Sequence, residues 1–233
     1  MFRNVFRILS DKGSKVLLIV LFSLPNTQKA LAQHYEEGNR LVGGLLGGAN
    51  FSQVDGDGYK GYNKISPSGG GILYFPISNA DLPFDGTLAW SMEVLYSGKG
   101  AYGSGASVSP VLKSQKISLT YAELPLQLNY WRGPRKSIYG AGFAIGYLGA
   151  SEEKINTISG QTYQFPFRKL DISFLLTANF HIGYGFFISP RFQYSLVSIR
   201  KKNAALSSFG REEQFNNVWG IKLMYLFNVK AAY

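Results

Sequence analysis

The stretch from Phe215 to Tyr233 alternates with a period of two, and that rhythm restricts the fold more than any other feature of the chain. One parity reads Phe215, Asn217, Trp219, Ile221, Leu223, Tyr225, Phe227, Val229, Ala231 and Tyr233. The other reads Asn216, Val218, Gly220, Lys222, Met224, Leu226, Asn228 and Lys230. A strand turns successive side chains to opposite faces, so one face of this strand meets an apolar medium and the other something wetter. With a polar interior and an apolar exterior, this is the pattern of a transmembrane β-barrel strand.

The same rhythm recurs upstream and predicts strands near 41–51, 67–77, 86–97, 116–130, 137–149, 168–181, 184–198 and 215–231. In the third, Leu88, Trp90, Met92, Val94 and Tyr96 oppose Thr87, Ala89, Ser91 and Glu93. In the sixth, Leu170, Ile172, Phe174, Leu176 and Phe180 oppose Asp171, Ser173, Thr177, Asn179 and His181. Most are close to the ~9–11 residues that a tilted strand needs to cross a bilayer. The first two are glycine-rich on both faces. In the fourth, the apolar parity switches around Pro125, from Ile117, Leu119 and Tyr121 to Leu124, Leu126 and Leu128, which predicts a bulge there.

The links alternate in length. Short ones fall at 78–85, 131–136 and 182–184, longer polar ones at 52–66, 98–115, 151–167 and 199–214. Membrane barrels of the outer-membrane type alternate short periplasmic turns with longer external loops. A soluble lipocalin-like barrel also alternates, but places its apolar residues inward. The charges decide between the two. Glu93, Glu123, Asp171, Arg191 and Lys222 all lie on the minority polar faces, so those faces point inward. The expected fold is all-β: an eight-stranded antiparallel up-and-down transmembrane β-barrel with a polar interior.

The amino-terminus agrees with that destination. Arg3, Arg7, Lys12 and Lys15 precede the apolar run Val16 to Leu24, and the small-residue site Ala30-Leu31-Ala32 follows. This is the form of a secretory signal peptide, predicted to span 1–32 with cleavage after Ala32 and to leave one barrel domain over 33–233. No later segment has the ~18 unbroken apolar residues of a membrane helix. The formal charge of +10 falls to +6 when the +4 of residues 1–32 is removed. Without a dense basic cluster, that excess suits anionic lipid heads or sugars and gives no reason to expect nucleic acid. The chain has no cysteine, which excludes a disulfide staple and a lipid-anchored lipoprotein.

Two segments carry a family resemblance. Gly43-Gly-Leu-Leu-Gly-Gly-Ala-Asn-Phe-Ser-Gln-Val-Asp-Gly-Asp-Gly58, continuing through Lys64, resembles the first hairpin of the PorT-like "porin family" outer-membrane β-barrel proteins of Bacteroidota. Leu119-Thr-Tyr-Ala-Glu-Leu-Pro-Leu-Gln-Leu-Asn-Tyr130 is similar to that group's tyrosine–acid–apolar–proline strand. The resemblance implies a barrel in the cell outer membrane, and the family's namesake implies a part in secreting cargo across it. The closing strand, with Trp219, Tyr225, Phe227 and the terminal Tyr233, resembles the signal read by the outer-membrane assembly machinery.

Little in the chain looks catalytic. Asp55-Gly-Asp57-Gly lacks the further acids of a calcium loop and reads as a tight polar turn. Two histidines, His34 and His181, and no cysteine argue against a zinc site. His181 near Ser189 and Ser195 leaves a lipid-modifying hydrolase as an alternative, but no Gly-x-Ser-x-Gly elbow is present. Glu93, Glu123, Arg191 and Lys222 are expected to pair inside a barrel just wide enough for its own side chains; the alternative is a small passive channel. The expectation is a monomeric barrel without cofactor, metal or catalytic site. It would work by structural, binding or accessory contact with outer-membrane lipid, the assembly machinery, or secretion and envelope proteins.

Overall fold

The computed structural model describes residues 41–57, 61–77, 87–104, 112–132, 137–157, 162–163, 166–200 and 213–227. Among the described residues nine strands run in chain order: β1 (Val42–Asp55), β2 (Lys64–Pro76), β3 (Thr87–Ser104), β4 (Leu112–Arg132), β5 (Ser137–Thr157), β6 (Thr162–Tyr163), β7 (Leu170–Gly183), β8 (Phe186–Ser195) and β9 (Phe215–Leu226). Consecutive long strands pair antiparallel, β4 pairs β5, and β1 pairs β9, so eight strands close into a ring. The two-residue β6 hangs on the far end of β5. Closure removes the sheet edges, whose unpaired backbone groups are costly wherever water is absent.

The wall is polarised in the predicted direction. Val94 is 63% exposed and its neighbour Glu93 only 1%. Along β9 the inward residues Asn216, Val218, Gly220, Lys222, Met224 and Leu226 are all buried, while Trp219, Ile221 and Leu223 are exposed. Charged side chains are inside the belt and its outer face is large and apolar, the inversion that contact with lipid requires.

The interior is layered. At the end carrying the short turns, Val42, Leu46, Ile72, Tyr74, Trp131, Phe187, Met224 and Leu226 form one buried apolar cluster. Tyr74 meets Trp131 edge-on at 4.9 Å there. At the opposite end a second cluster joins Val54, Ala101, Ile117, Leu119, Tyr121, Leu148, Phe167 and Ile199. The charged side chains belong to neither cluster.

Two expectations need correction. The fourth strand has no bulge at Pro125: inward parity runs unbroken through Ile117, Leu119, Tyr121, Glu123, Pro125, Gln127 and Asn129. The apparent switch arises because Ile117, Leu119 and Tyr121 belong to the internal apolar cluster, so the inward face itself changes character. The register with β3 is the same on either side, Met92↔Leu126 and Leu95↔Glu123, and the ladder only skips the pairs around the proline, which has no N–H to give. The irregularities in β4–β5 fall instead between Leu112 and Ser114 and between Thr120 and Tyr121.

The second correction concerns the longer links. Much of 98–115 and 151–167 is strand: β3 reaches Ser104, β4 begins at Leu112 and β5 reaches Thr157. Beyond the apolar belt the outward residues become polar, so the alternation loses its apolar partner and reads as loop. The tight turn after β7 falls at 184–185, where Tyr184 (φ 48°) and Gly185 (φ 86°) supply the two positive φ values of a type I′ hairpin.

Candidate functional site: a buried charge network

β3, β4, β7, β8 and β9 each aim at least one charge into the lumen, because each has a charged residue on its inward parity. Glu93, Asp171, Arg191 and Lys222 are at most 4% exposed, and Glu123 is 3% exposed. Charges so completely out of water persist only if partnered.

The first group centres on Glu93. Arg191 donates from Nη1 to Glu93 Oε2 at 3.0 Å and from Nη2 to Oε1 at 3.2 Å, a two-pronged pair. Gln127 donates to Glu93 Oε1 at 2.8 Å, and Thr177 donates to Gln127 Oε1 at 2.8 Å.

The second group centres on Lys99. Its ammonium lies 2.6 Å from Glu123 Oε1 and 3.0 Å from Asp171 Oδ2, and 5.0 Å from the centre of the Tyr121 ring. Asp171 also accepts from Ser195 at 2.7 Å and from Asn216 at 2.9 Å. Gln193 links Glu123 to Ser173 at 3.1 and 2.6 Å. Glu123, Gly146 and Asp171 face one another directly across β4, β5 and β7. A Cβ on Gly146 would stand 3.2 Å from the Tyr121 ring, a tight approach, and in ordinary contact at 3.6 Å with both acidic side chains, so glycine there makes room for the ring beside the ion cluster.

A third group closes the end opposite the short turns. Arg200 pairs with Glu153, donates to Gln214 at 2.7 Å, and lies over the Phe167 ring at 3.8 Å. Gln115 donates to the same Glu153 oxygen at 2.8 Å.

Of the five charges named from sequence, Glu93 pairs with Arg191, while Glu123 and Asp171 share Lys99. Lys222 is buried yet has no carboxylate within 4.0 Å among the described residues. Lys99, Glu153 and Arg200 fall in stretches that the sequence pattern reads as links. Lys99 was legible, since Glu93, Leu95, Ser97 and Lys99 share one parity. Arg200 was not, because it follows β8 in a connection with no alternation. Ala30, Ala32, His34 and Tyr233 lie outside the described residues. Trp219, Tyr225 and Phe227 line the outer wall at the β8–β9–β1 seam, with Trp219 against Phe192 at 5.1 Å and Tyr225 against Phe186 at 4.8 Å.

His181 packs against Phe187 at 5.1 Å, and Ser195 donates to Asp171. Asp55 accepts from Gln53 at 2.7 Å and from Asn217 at 3.1 Å. No three His, Cys, Asp or Glu residues among those described are placed to hold a metal.

No family model and no curated protein matches the chain. Among solved structures it is similar to Ail, the attachment invasion locus protein of Yersinia pestis, at 14% identity over 81% of this chain and 99% of that one, with a TM-score of 0.38. It is also similar to Neisserial surface protein A, at 8% identity over 81% of this chain and 99% of that one, with a TM-score of 0.39. The closed eight-stranded barrel stands on its own strand pairing, whatever these likenesses add.

Proposed function

We propose that this is a monomeric outer-membrane β-barrel protein with a structural or binding role in the cell envelope and no catalytic step. The observation that carries the reading is the inverted polarity: a lumen holding paired, fully buried charges inside a wall whose outer face is apolar. In water that wall would be one continuous exposed apolar patch, far larger than soluble monomers tolerate. With the lumen filled by its own side chains and an apolar cluster toward either end, the surfaces left for partners are the outer wall and the end opposite the short turns. That end is external if both chain ends face the periplasm.

The test is fractionation of cells expressing the full chain. Recovery with outer membranes, released only by detergent, supports the reading; recovery in the soluble periplasm overturns it. The PorT-like resemblance supports an alternative reading, an accessory part in a secretion assembly, for which native purification should bring a large complex with the barrel.

A further inference from the structure

Outside the barrel, at the end away from the short turns, like charges face each other. Lys116 on β4 stands directly opposite Lys154 on β5, with Tyr102 on β3 completing the row, and all three are exposed. Directly opposed like charges destabilise a sheet. The acid nearby is Glu152, 2.6 Å from Lys154, and this pair is well exposed, so it offsets little of the repulsion.

The height of the row says what could relieve it. The apolar outer face of β4 ends at Ala122, above Leu124, Leu126 and Leu128. At ~3.3 Å per residue and a tilt of ~40°, Lys116 lies about 15 Å beyond Ala122 along the barrel axis. Glycerophospholipid headgroups add only ~5–7 Å to each side of the hydrocarbon core, so their phosphates stop short of this row. A lipid whose headgroup is built of several phosphorylated sugars reaches it.

We propose that Lys116 and Lys154 form a docking surface for the phosphorylated saccharide headgroup of a membrane glycolipid. The inference rests on the membrane reading above. Lys116 and Lys154 share the headgroup's phosphates, and the Tyr102 ring offers an apolar face to its sugars.

The experiment uses the full mature chain refolded into phosphatidylcholine vesicles, then extracted into detergent and titrated with a phosphorylated lipooligosaccharide. Parallel titrations use the same glycolipid after dephosphorylation, phosphatidylglycerol, and inorganic phosphate. The wild type should bind the phosphorylated glycolipid well above the other three. Lys116→Gln and Lys154→Gln should each weaken that binding about fivefold and leave folding unchanged. Equal binding with and without the phosphates, an unaffected double variant, or equally tight phosphatidylglycerol or free phosphate would overturn the proposal. Barrels that insert into vesicles yet give those results overturn the docking surface alone. Chains that never insert overturn the membrane reading as well.

Discussion

Arg191 and Glu93 face each other across the lumen and bond through both terminal guanidinium nitrogens and both carboxylate oxygens, at 3.0 and 3.2 Å. Taking away either partner strands a buried charge. Arg191→Met should therefore cost about 3–5 kcal/mol, read as the urea midpoint of the barrel in lipid vesicles. Replacing both, as Glu93→Met with Arg191→Met, should recover most of that loss. The residual cost, about 1–3 kcal/mol, is the Gln127 amide left without its acceptor. A double variant as unstable as the single one would refute this account.

Lys99 and Lys222 are both buried lysines, and their removal should have opposite consequences. Lys99 holds Glu123 and Asp171 together, so Lys99→Met leaves two carboxylates facing one another and should cost at least about 3–5 kcal/mol. Lys222 touches no carboxylate among the described residues, so Lys222→Met exchanges an expensive buried ammonium for an apolar chain of similar length. That variant should be as stable as the wild type or more so. Equal losses in the two urea titrations would show that Lys222 has a partner that its surroundings do not reveal.

Glycines in this wall are not equivalent. A Cβ on Gly140 would stand 2.4 Å from Asn129 Oδ1, 2.6 Å from Thr177 Oγ1 and 2.9 Å from Gln127 Oε1, inside the polar layer. A Cβ on Gly47 would meet nothing within 4 Å. Gly140→Ala should lower stability by about 1–3 kcal/mol, since three hydrogen-bonding side chains must give way. Gly47→Ala should change it by less than about 0.5 kcal/mol. The comparison requires only two chemical-unfolding curves.

The filled lumen also makes an electrical prediction. Lys99, Glu123 and Asp171 are no more than 3% exposed, and apolar clusters lie toward either end. Reconstituted in planar bilayers, the barrel should show no steady conductance. Discrete, reproducible openings of the wild type would restore the passive-channel reading.

Where the outer face is apolar, the sequence reveals the fold directly: Leu88 to Tyr96 on β3 and Phe215 to Phe227 on β9 declare both strand and facing. Past the belt the outer residues turn polar, and only the inward parity still carries information, as in Ser97, Lys99 and Ala101. Lys99 was lost for that reason, and with it the cation that two predicted carboxylates share. The fourth strand misleads in the opposite way, because Ile117, Leu119 and Tyr121 are apolar and internal. Hydrophobicity alone cannot separate a side chain facing lipid from one filling a small barrel. Pairing partners were beyond reach for a further reason: Glu93 and Arg191 lie 98 residues apart, and only ring closure brings them together.

The closing strand carries two separable tasks, and truncation at two points should divide them. Leu226 donates its N–H to Gly185 at 2.9 Å, Phe227 donates to Gly43 at 2.8 Å, and Tyr225 and Leu226 lie opposite Leu45 and Gly44. Removing 225–233 deletes the last part of the β9–β1 seam, so the chain should fail to close even when refolded into vesicles. The readout is loss of the heat-dependent shift in gel mobility that an intact barrel shows in detergent. Removing 228–233 leaves every seam bond named here in place, so that shorter deletion should refold in vitro. If the aromatic terminus at Tyr233 is read by the assembly machinery, the 228–233 deletion should nevertheless fail to accumulate in outer membranes in cells. Normal membrane levels would remove the terminus from the assembly signal and leave Trp219, Tyr225 and Phe227 as wall residues alone.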